Sequence, residues 1–384
     1  MTMTYSASEV ISKVSNGVLA VSLDGVEMAS FDLEGRVLYY AIGSLIYRRS
    51  IYNHVYRLEW RGKEERIVQR IENPSPLIER AYELAREALE VTDDSSVRNA
   101  LKVTAGRTAL WLCEDVKKLN SLYSRISIVP PDLYFSTYLQ LTTGCTWNLC
   151  TFCTLYKDRT FSLKSREQFS QHIRAVKAYL GRGLDARKRV FLGDANAMDV
   201  SQKLLRHVLL NIGQELEDPP VYSFVDAFTT PKNLTRMDFG ELHDLGLERV
   251  YLGLESGNPE VLKILNKPMS LPETKEFVNQ LKSVGVKLGV IILIGAGGHK
   301  YWQDHVTMTC SALEEMNLGQ GDIVYLSPLV ETETYNKLTE SLHLGSLHDK
   351  QKEKQTQEFL DQLKETHKIN CPVVPYNIRE SFLS

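Results

Sequence analysis

Thr137-Tyr-Leu-Gln-Leu-Thr142, followed closely by Gly144-Cys-Thr-Trp-Asn-Leu-Cys-Thr-Phe-Cys153, sets the reading of the whole chain. The first stretch is apolar and β-favouring and predicts a strand. The second predicts a loop at the end of that strand, with Cys145, Cys150 and Cys153 crowded into nine residues. That is ligand spacing rather than loop-closing spacing. Three thiols can hold three irons of a [4Fe–4S] cluster and leave the fourth iron open, where an electron-transfer cluster would take a fourth cysteine.

Downstream of Pro130-Pro131, the pattern alternates between strand and helix. Ser165 and Gln168 form a capping box ahead of a helix with Phe169, Ile173, Val176 and Leu180 on one face. Arg189–Leu192, Val221–Val225, Val250–Leu254, Leu288–Ile294 and Asp322–Leu326 read as further strands, separated by helices capped at Asp199 with Gln202 and at Ser270 with Glu273. Six strands alternating with helices predict an α/β fold with a parallel sheet over residues 131–335, and the alternation itself fits an open sheet or a curled one. Before it, residues 1–130 read as an α+β extension. Asn16-Gly17, Asp24-Gly25 and Glu34-Gly35 punctuate its strands, and a helix runs through Leu77, Ala81, Leu84 and Leu89. Residues 336–384 read as a helical tail.

Composition is that of an ordinary globular protein: 384 residues, 43% hydrophobic, 24% charged and net −3. The charge argues against a strongly electrostatic nucleic-acid binder. No apolar run reaches membrane-spanning length. The N-terminus shows no secretory pattern, so a reducing cytoplasm is the expected compartment. Cys113, Cys310 and Cys371 are scattered and read as small buried hydrophobes rather than disulfide partners.

In parallel α/β architectures, ligands gather at the C-terminal ends of the strands. All six strand ends carry small or polar residues: the cysteine loop, Gly193-Asp194-Ala-Asn196, Asp226, Glu255-Ser256-Gly257, Gly295-Ala-Gly297-Gly-His299 and Ser327-Pro328. The cysteine loop, with Phe152 directly before its third cysteine, resembles the cluster loop of the radical S-adenosylmethionine superfamily. Tyr251-Leu-Gly-Leu-Glu255-Ser256-Gly257 is similar to the fourth-strand motif of the branch holding the elongator catalytic subunit and the tRNA methylthiotransferases. The resemblance covers roughly residues 132–335 and implies that the parallel sheet curls into a partial (β/α)6 TIM-like barrel. One departure is the first cysteine gap, four residues here against the usual three.

The resemblance implies a [4Fe–4S] cluster on Cys145, Cys150 and Cys153, and S-adenosylmethionine on its open iron. Reductive cleavage to methionine and a 5′-deoxyadenosyl radical follows, and then hydrogen abstraction from a small-molecule or lipid substrate. An electron donor such as flavodoxin or ferredoxin is implied as partner. Phe152 would pack on adenine, and Gly193 and Asp194 would meet the methionyl amino group. Asp226 sits at a strand end in the same ring and joins the cofactor-binding set. Glu255 and Ser256 would contact ribose or the methionyl group, and Gly295 and Gly297 would admit the nucleoside. Asp194 and Asp226 also have the plainer reading of helix caps. No side chain is assigned a hydrogen-transfer role.

Two other functions stay open from sequence. Tyr47 to Arg70 holds seven Arg/Lys against three Glu, interleaved with Tyr52, Tyr56 and Trp60, which suits either RNA stacking or a solvated sheet. Modification of tRNA or protein is therefore one alternative. The other is a zinc-stabilised, non-catalytic binding module, with His299 or a carboxylate as fourth ligand. No second cysteine triplet exists to hold an auxiliary cluster, and no D-x-H-x-x-G run marks a cobalamin domain.

Overall fold

The computed structural model describes residues 9–61, 65–367, 369–379 and 383. The expectation about a secretory leader concerns residues 1–8 and lies outside them. The N-terminal unit is an antiparallel meander of β1 (Val10–Ser15), β2 (Val18–Leu23), β3 (Glu27–Asp32), β4 (Val37–Ile42), β5 (Leu45–Arg49), β6 (Val55–Arg61) and β7 (Glu65–Arg70). Its first two turns fall on Asn16-Gly17 and Asp24-Gly25, all four residues at positive φ, as tight hairpins require. One face is covered by α1 (Ser75–Val91), α2 (Ser95–Ala105) and α3 (Ala109–Leu122), and Leu19, Val21, Ala29 and Phe31 are buried with Ala81, Tyr82, Leu84 and Ala88. Asp94 caps α2 by accepting from the Ser96 and Val97 amides, a contribution of about 1 kcal/mol.

An ionic junction joins this unit to the rest. Arg36 pairs with Asp115 at 2.7 Å and donates to the carbonyls of Tyr179 and Leu180, while Arg187 reaches Asp32 at 3.2 Å. All four side chains are buried, so their charges hold each other in place where water cannot.

The second unit is a parallel sheet in the order β8 (Thr137–Gln140), β11 (Val190–Gly193), β12 (Val221–Val225), β13 (Leu247–Glu255), β14 (Lys287–Ile294), β15 (Ile323–Pro328), β16 (Val373–Pro375). Between β8 and β11 lies a short hairpin of β9 (Thr142–Thr143) and β10 (Ser162–Leu163). The crossovers carry α4 (Arg166–Leu180), α5 (Gln202–Leu216), α6 (Thr230–Asn233), α7 (Arg236–Asp244), α8 (Pro259–Ile264), α9 (Leu271–Ser283) and α10 (Trp302–Glu315). Next come α11 (Glu333–Ser341) and α12 (Asp349–Asp361), the latter running into a π-helical turn, Gln362–Thr366. The α/β class and the curled parallel sheet agree with the sequence expectation, but the strand count does not. Val373–Pro375 adds a seventh strand beside β15, and Phe359 and Leu363 enter the main core, so these parts of the expected tail pack as part of the barrel. Two valines and a proline are too short a run to give a strand signal; they pair because the β15 edge is there to receive them.

Strand alternation divides the side chains. Leu139, Leu192, Val250, Leu252, Val290, Ile292, Val324 and Leu326 face the helices, each adding about 1.5–3 kcal/mol of apolar burial. Their neighbours Tyr138, Phe191, Phe224, Tyr251, Tyr325 and Tyr376 fill the inside with rings. Gly289 makes room for this layer, since a Cβ there would stand 2.3 Å from the Tyr251 ring. The floor is closed by Asp132, which accepts from Tyr251 at 2.7 Å, Tyr325 at 2.6 Å and Arg249 at 2.7 Å. The capping box at Ser165 and Gln168 is formed. The Asp199 cap is not: Ser201 precedes α5 without a side-chain bond, and Asp199 instead accepts from the Asn233 amide.

The first two cations of the basic run from Tyr47 onward are turned inward, while Arg57 and Arg70 keep contact with solvent. Arg48 lies over the rings of Tyr39, Tyr134 and Phe135, and Arg49 is buried and donates to the Val37 carbonyl at 2.5 Å. Tyr47 stacks on Tyr40. The side chains of residues 60, 61, 65 and 66 lie outside the described ones.

Candidate active site

The cysteine loop is tied down along one side by the end of α8. Trp147 Nε1 donates to the Asn266 carbonyl at 2.9 Å, and Asn266 returns a bond to the Leu149 carbonyl at 2.9 Å. The Thr151 amide and hydroxyl reach the Leu265 and Ile264 carbonyls at 3.1 and 2.9 Å. The four-residue gap between the first two cysteines contains Asn148 at φ 45°, whose amide group donates to the Tyr156 carbonyl at 2.9 Å. Asparagine tolerates that left-handed conformation better than most residues. The longer gap is thus absorbed in one turn.

Cys145, Cys150 and Cys153 line one cavity together with Phe152, Asp226 and Glu255, so six of the sequence-derived candidates converge. The same cavity is lined by the apolar side chains of Ile128, Phe224, Ile291, Leu293, Val330 and Ile378. Burial pushes the Cys150 thiol up to about 12 and raises Cys153 as well. Neutral thiols suit this dry surround until iron is present to stabilise thiolates. Among the described residues no three His, Cys, Asp or Glu side chains close on a point as a single metal ion would need. The other three cysteines are not among the cavity-lining residues, so the donor set fits a cluster with one iron left open.

Glu255 ends β13 at φ 61°, a sharp left-handed turn that directs its carboxylate to Lys267, Nζ to Oε1 2.8 Å, with both side chains 9% exposed. Burial works against the Lys267 ammonium, yet Glu255 and Cys150 hold its pKa above the usual lysine value. Gly253 is required beneath this pair, because a Cβ there would lie 2.3 Å from Glu255 Oε1 and 2.7 Å from Lys267 Nζ. Lys267 escaped the sequence reading. Its signal was a single lysine closing the apolar segment Val261–Leu265 twelve residues after Glu255, which only the fold brings back to the strand end.

Asp226 caps the following turn, accepting from the Phe228 and Thr229 amides at 2.9 and 2.5 Å, and its second oxygen takes Thr229 Oγ1 and the Asn196 amide. Both of its readings from sequence are therefore compatible with one position. Asn196 also lines the cavity, and its Oδ1 is buried without a protein partner.

The remaining candidates, Gly193, Asp194, Ser256, Gly295, Gly297 and His299, do not line this cavity. Gly193 and Asp194, joined by a cis peptide, lie behind the loop rather than in the cavity. The Asp194 carboxylate accepts from Tyr138 at 3.1 Å, from the Gly144 amide at 3.3 Å and from Arg159 at 3.4 Å, which pins the start of the cysteine loop to β11. Ser256 is fully buried, bonded to His305 Nδ1 at 2.8 Å and capping the Asn258 amide at 3.0 Å. Gly295 and Gly297 face the C-terminal helices: their amides donate to Gln355 at 2.7 Å and Tyr335 at 3.0 Å. A Cβ on Gly295 would stand 3.1 Å from the Lys352 side chain of α12, and one on Gly297 would stand 2.8 Å from Val261 and 2.9 Å from Tyr301. His299 stacks on Trp302 and bonds Gln351, which removes it from any zinc donor set.

Burial raises the Asp194 pKa to about 6, against the bonds that favour its charged form. The native state then holds this proton more tightly than the unfolded chain. Stability from this group is full below about pH 4 and is lost as pH rises through about 6, a span worth about 3 kcal/mol. In urea titrations at pH 4.5 and 7.5, Asp194→Asn should show a smaller pH-dependent change than the native chain. Equal slopes would mean that Asp194 titrates normally.

Residues 139–307 match the family model of the radical SAM superfamily. That stretch therefore carries a radical S-adenosylmethionine domain, and the family it matches uses a [4Fe–4S] cluster and S-adenosylmethionine. Among solved structures it is similar to coproporphyrinogen III oxidase from Escherichia coli, at 15% identity and TM-score 0.46, over 60% of this chain and 52% of that one. It is also similar to the archaeal Elp3 of Methanocaldococcus infernus, at 12% identity and TM-score 0.40, over 63% and 56% of the two chains. A third is the radical S-adenosylmethionine methyltransferase TsrM from Kitasatospora setae with cobalamin and a [4Fe–4S] cluster bound, at 15% identity and TM-score 0.40, over 54% and 40%. This chain thus spans about half the length of the first two. No curated protein sequence matches it. Among the described residues no helix is long and apolar enough to cross a membrane.

Proposed function

We propose that the chain uses its cluster and S-adenosylmethionine to take hydrogen from an unactivated carbon of an apolar small molecule or lipid. When bound, these cofactors supply one-electron cleavage of the sulfonium C–S bond, giving methionine and a 5′-deoxyadenosyl radical. Cys145, Cys150 and Cys153 would hold the irons. Lys267 and Glu255, a buried ammonium and carboxylate at the cavity wall, match the charges of a methionyl carboxylate and ammonium. Phe152 offers a ring for adenine, and Asn196 Oδ1 an unused acceptor.

The observation that carries the substrate class is the apolar part of the lining. Ile128, Phe224, Ile291, Val330 and Ile378 offer no cation to a phosphate or carboxylate, and Lys267, the one lysine among the described lining residues, is taken up by Glu255 and the cofactor. Such a lining excludes water and accepts hydrocarbon. Modification of tRNA has less support, since Arg48 and Arg49 are spent in packing.

Anaerobic reconstitution with iron and sulfide tests the reading. About four irons per chain, a reduced-cluster EPR signal that shifts with S-adenosylmethionine, and formation of 5′-deoxyadenosine are expected. Stoichiometric zinc with no cluster signal would sink it. Retention of tRNA on a filter at moderate salt would favour the nucleic-acid alternative.

A further inference from the structure

We propose that the outer face of the cysteine loop and the adjoining β9–β10 hairpin form the docking surface for an acidic, low-potential one-electron carrier protein. The inference rests on the cluster reading above, because only a cluster at these thiols needs an electron delivered there.

Three large apolar side chains are exposed on this short stretch: Leu149 at 56%, Phe161 at 37% and Leu163 at 43%. Leu149 stands between Cys145 and Cys150. Phe161 and Leu163 are two residues apart, so they share a face, while the intervening Ser162 turns back to bond Thr143 at 2.5 Å. The hairpin lies directly against the loop, since a Cβ on Gly144 would be 3.2 Å from Phe161 Cα. An apolar group left in water beside the redox centre marks a contact surface.

Its rim is net basic. From Gly144 to Glu167 the chain carries Lys157, Lys164 and Arg166 against Asp158 and Glu167, with Arg159 turned inward onto Asp194, within a protein of net charge −3. Arg125, 75% exposed, sits beside Asp158 at 3.8 Å and adds a further cation. Positive charge around an apolar centre is complementary to an acidic protein and steers its approach.

Geometry leaves this side for the electron. Tunnelling falls steeply with distance, so a carrier must dock where the thiols come nearest to solvent, and all three cysteines are partly exposed. The loop's other flanks are occupied by the bonds to the end of α8 and by Tyr156 and Asp194.

The test compares two reductants on the reconstituted enzyme. In Phe161→Glu, Leu163→Glu and Arg125→Glu, the cluster EPR and dithionite-driven 5′-deoxyadenosine formation should equal those of the native chain. Formation driven by reduced flavodoxin, at limiting carrier, should fall about tenfold, and calorimetric binding of oxidised flavodoxin should weaken in parallel. The native flavodoxin-driven rate should fall with added salt. Met237→Glu, a surface change at an 84% exposed site on α7, is the control and should change nothing. A loss seen with a plant-type ferredoxin in place of flavodoxin supports the same surface. Unchanged rates with both carriers overturn the proposal while leaving the cluster reading intact. Absence of cleavage with dithionite in the native chain overturns both.

Discussion

Cys150→Ala is expected to abolish cluster binding and reduce S-adenosylmethionine cleavage at least about a hundredfold, the upper end of what loss of a mere outer-shell partner costs a metal site. Cys150 sits centrally in the loop, flanked by the Leu149 carbonyl that Asn266 holds and by Thr151 bonded to Ile264 and Leu265. That backbone would keep its shape without the thiol, so no other side chain is brought in to replace the ligand. The fold should persist. In the metal-free protein burial keeps this thiol neutral, with its pKa near 12, so alanine removes little more than a small partly buried group. A change within about 1 kcal/mol is expected. Iron and sulfide content with urea unfolding separate the two effects. A fully loaded Cys150→Ala cluster would show that this thiol is not a ligand.

Lys267→Met should be the most destabilising single change at the site, by about 3–5 kcal/mol. It leaves Glu255 at 9% exposure without its ammonium, held in a left-handed turn that prevents the carboxylate from swinging into water. Glu255→Gln together with Lys267→Met should regain much of the loss, since no unpaired charge remains. Urea midpoints of the single and double variants at pH 7.5 read both changes. Equal losses for the single and double variants would mean that lost packing, rather than charge, sets the stability here. S-adenosylmethionine affinity of the reconstituted double variant reports separately on the pair's role in binding.

Local pattern made much of the molecule legible. Val221–Val225 coincides with its strand, Leu288–Ile294 misses by one residue, and Ser165 with Gln168 forms the expected box. These features depend on side-chain alternation and on capping chemistry within a few residues. That the cysteines, Phe152 and Glu255 come together on one cavity was legible for the same reason: each follows a predicted strand. What the glycines of 295–298 admit was not legible, because a glycine reports that something comes close, not what. In the fold Gly295 meets Lys352 of α12, Gly297 meets Val261 and Tyr301, and Gly298 meets the backbone of Leu344 and Gly345. The partners of Asp194 were not legible either, because a strand-end carboxylate can turn either way, and three donors behind the loop hold it.

The sequence by itself determined the class of fold, the thiol set and the ring of strand ends, because strand period, helix caps and cysteine spacing are all local. The tertiary structure alone decided the pairing of Glu255 with Lys267, the entry of β16 into the sheet and the apolar lining of the cysteine cavity. These contacts join residues from 12 to more than 200 positions apart, and no local pattern says which distant side chain will fill a space left by a neighbouring strand.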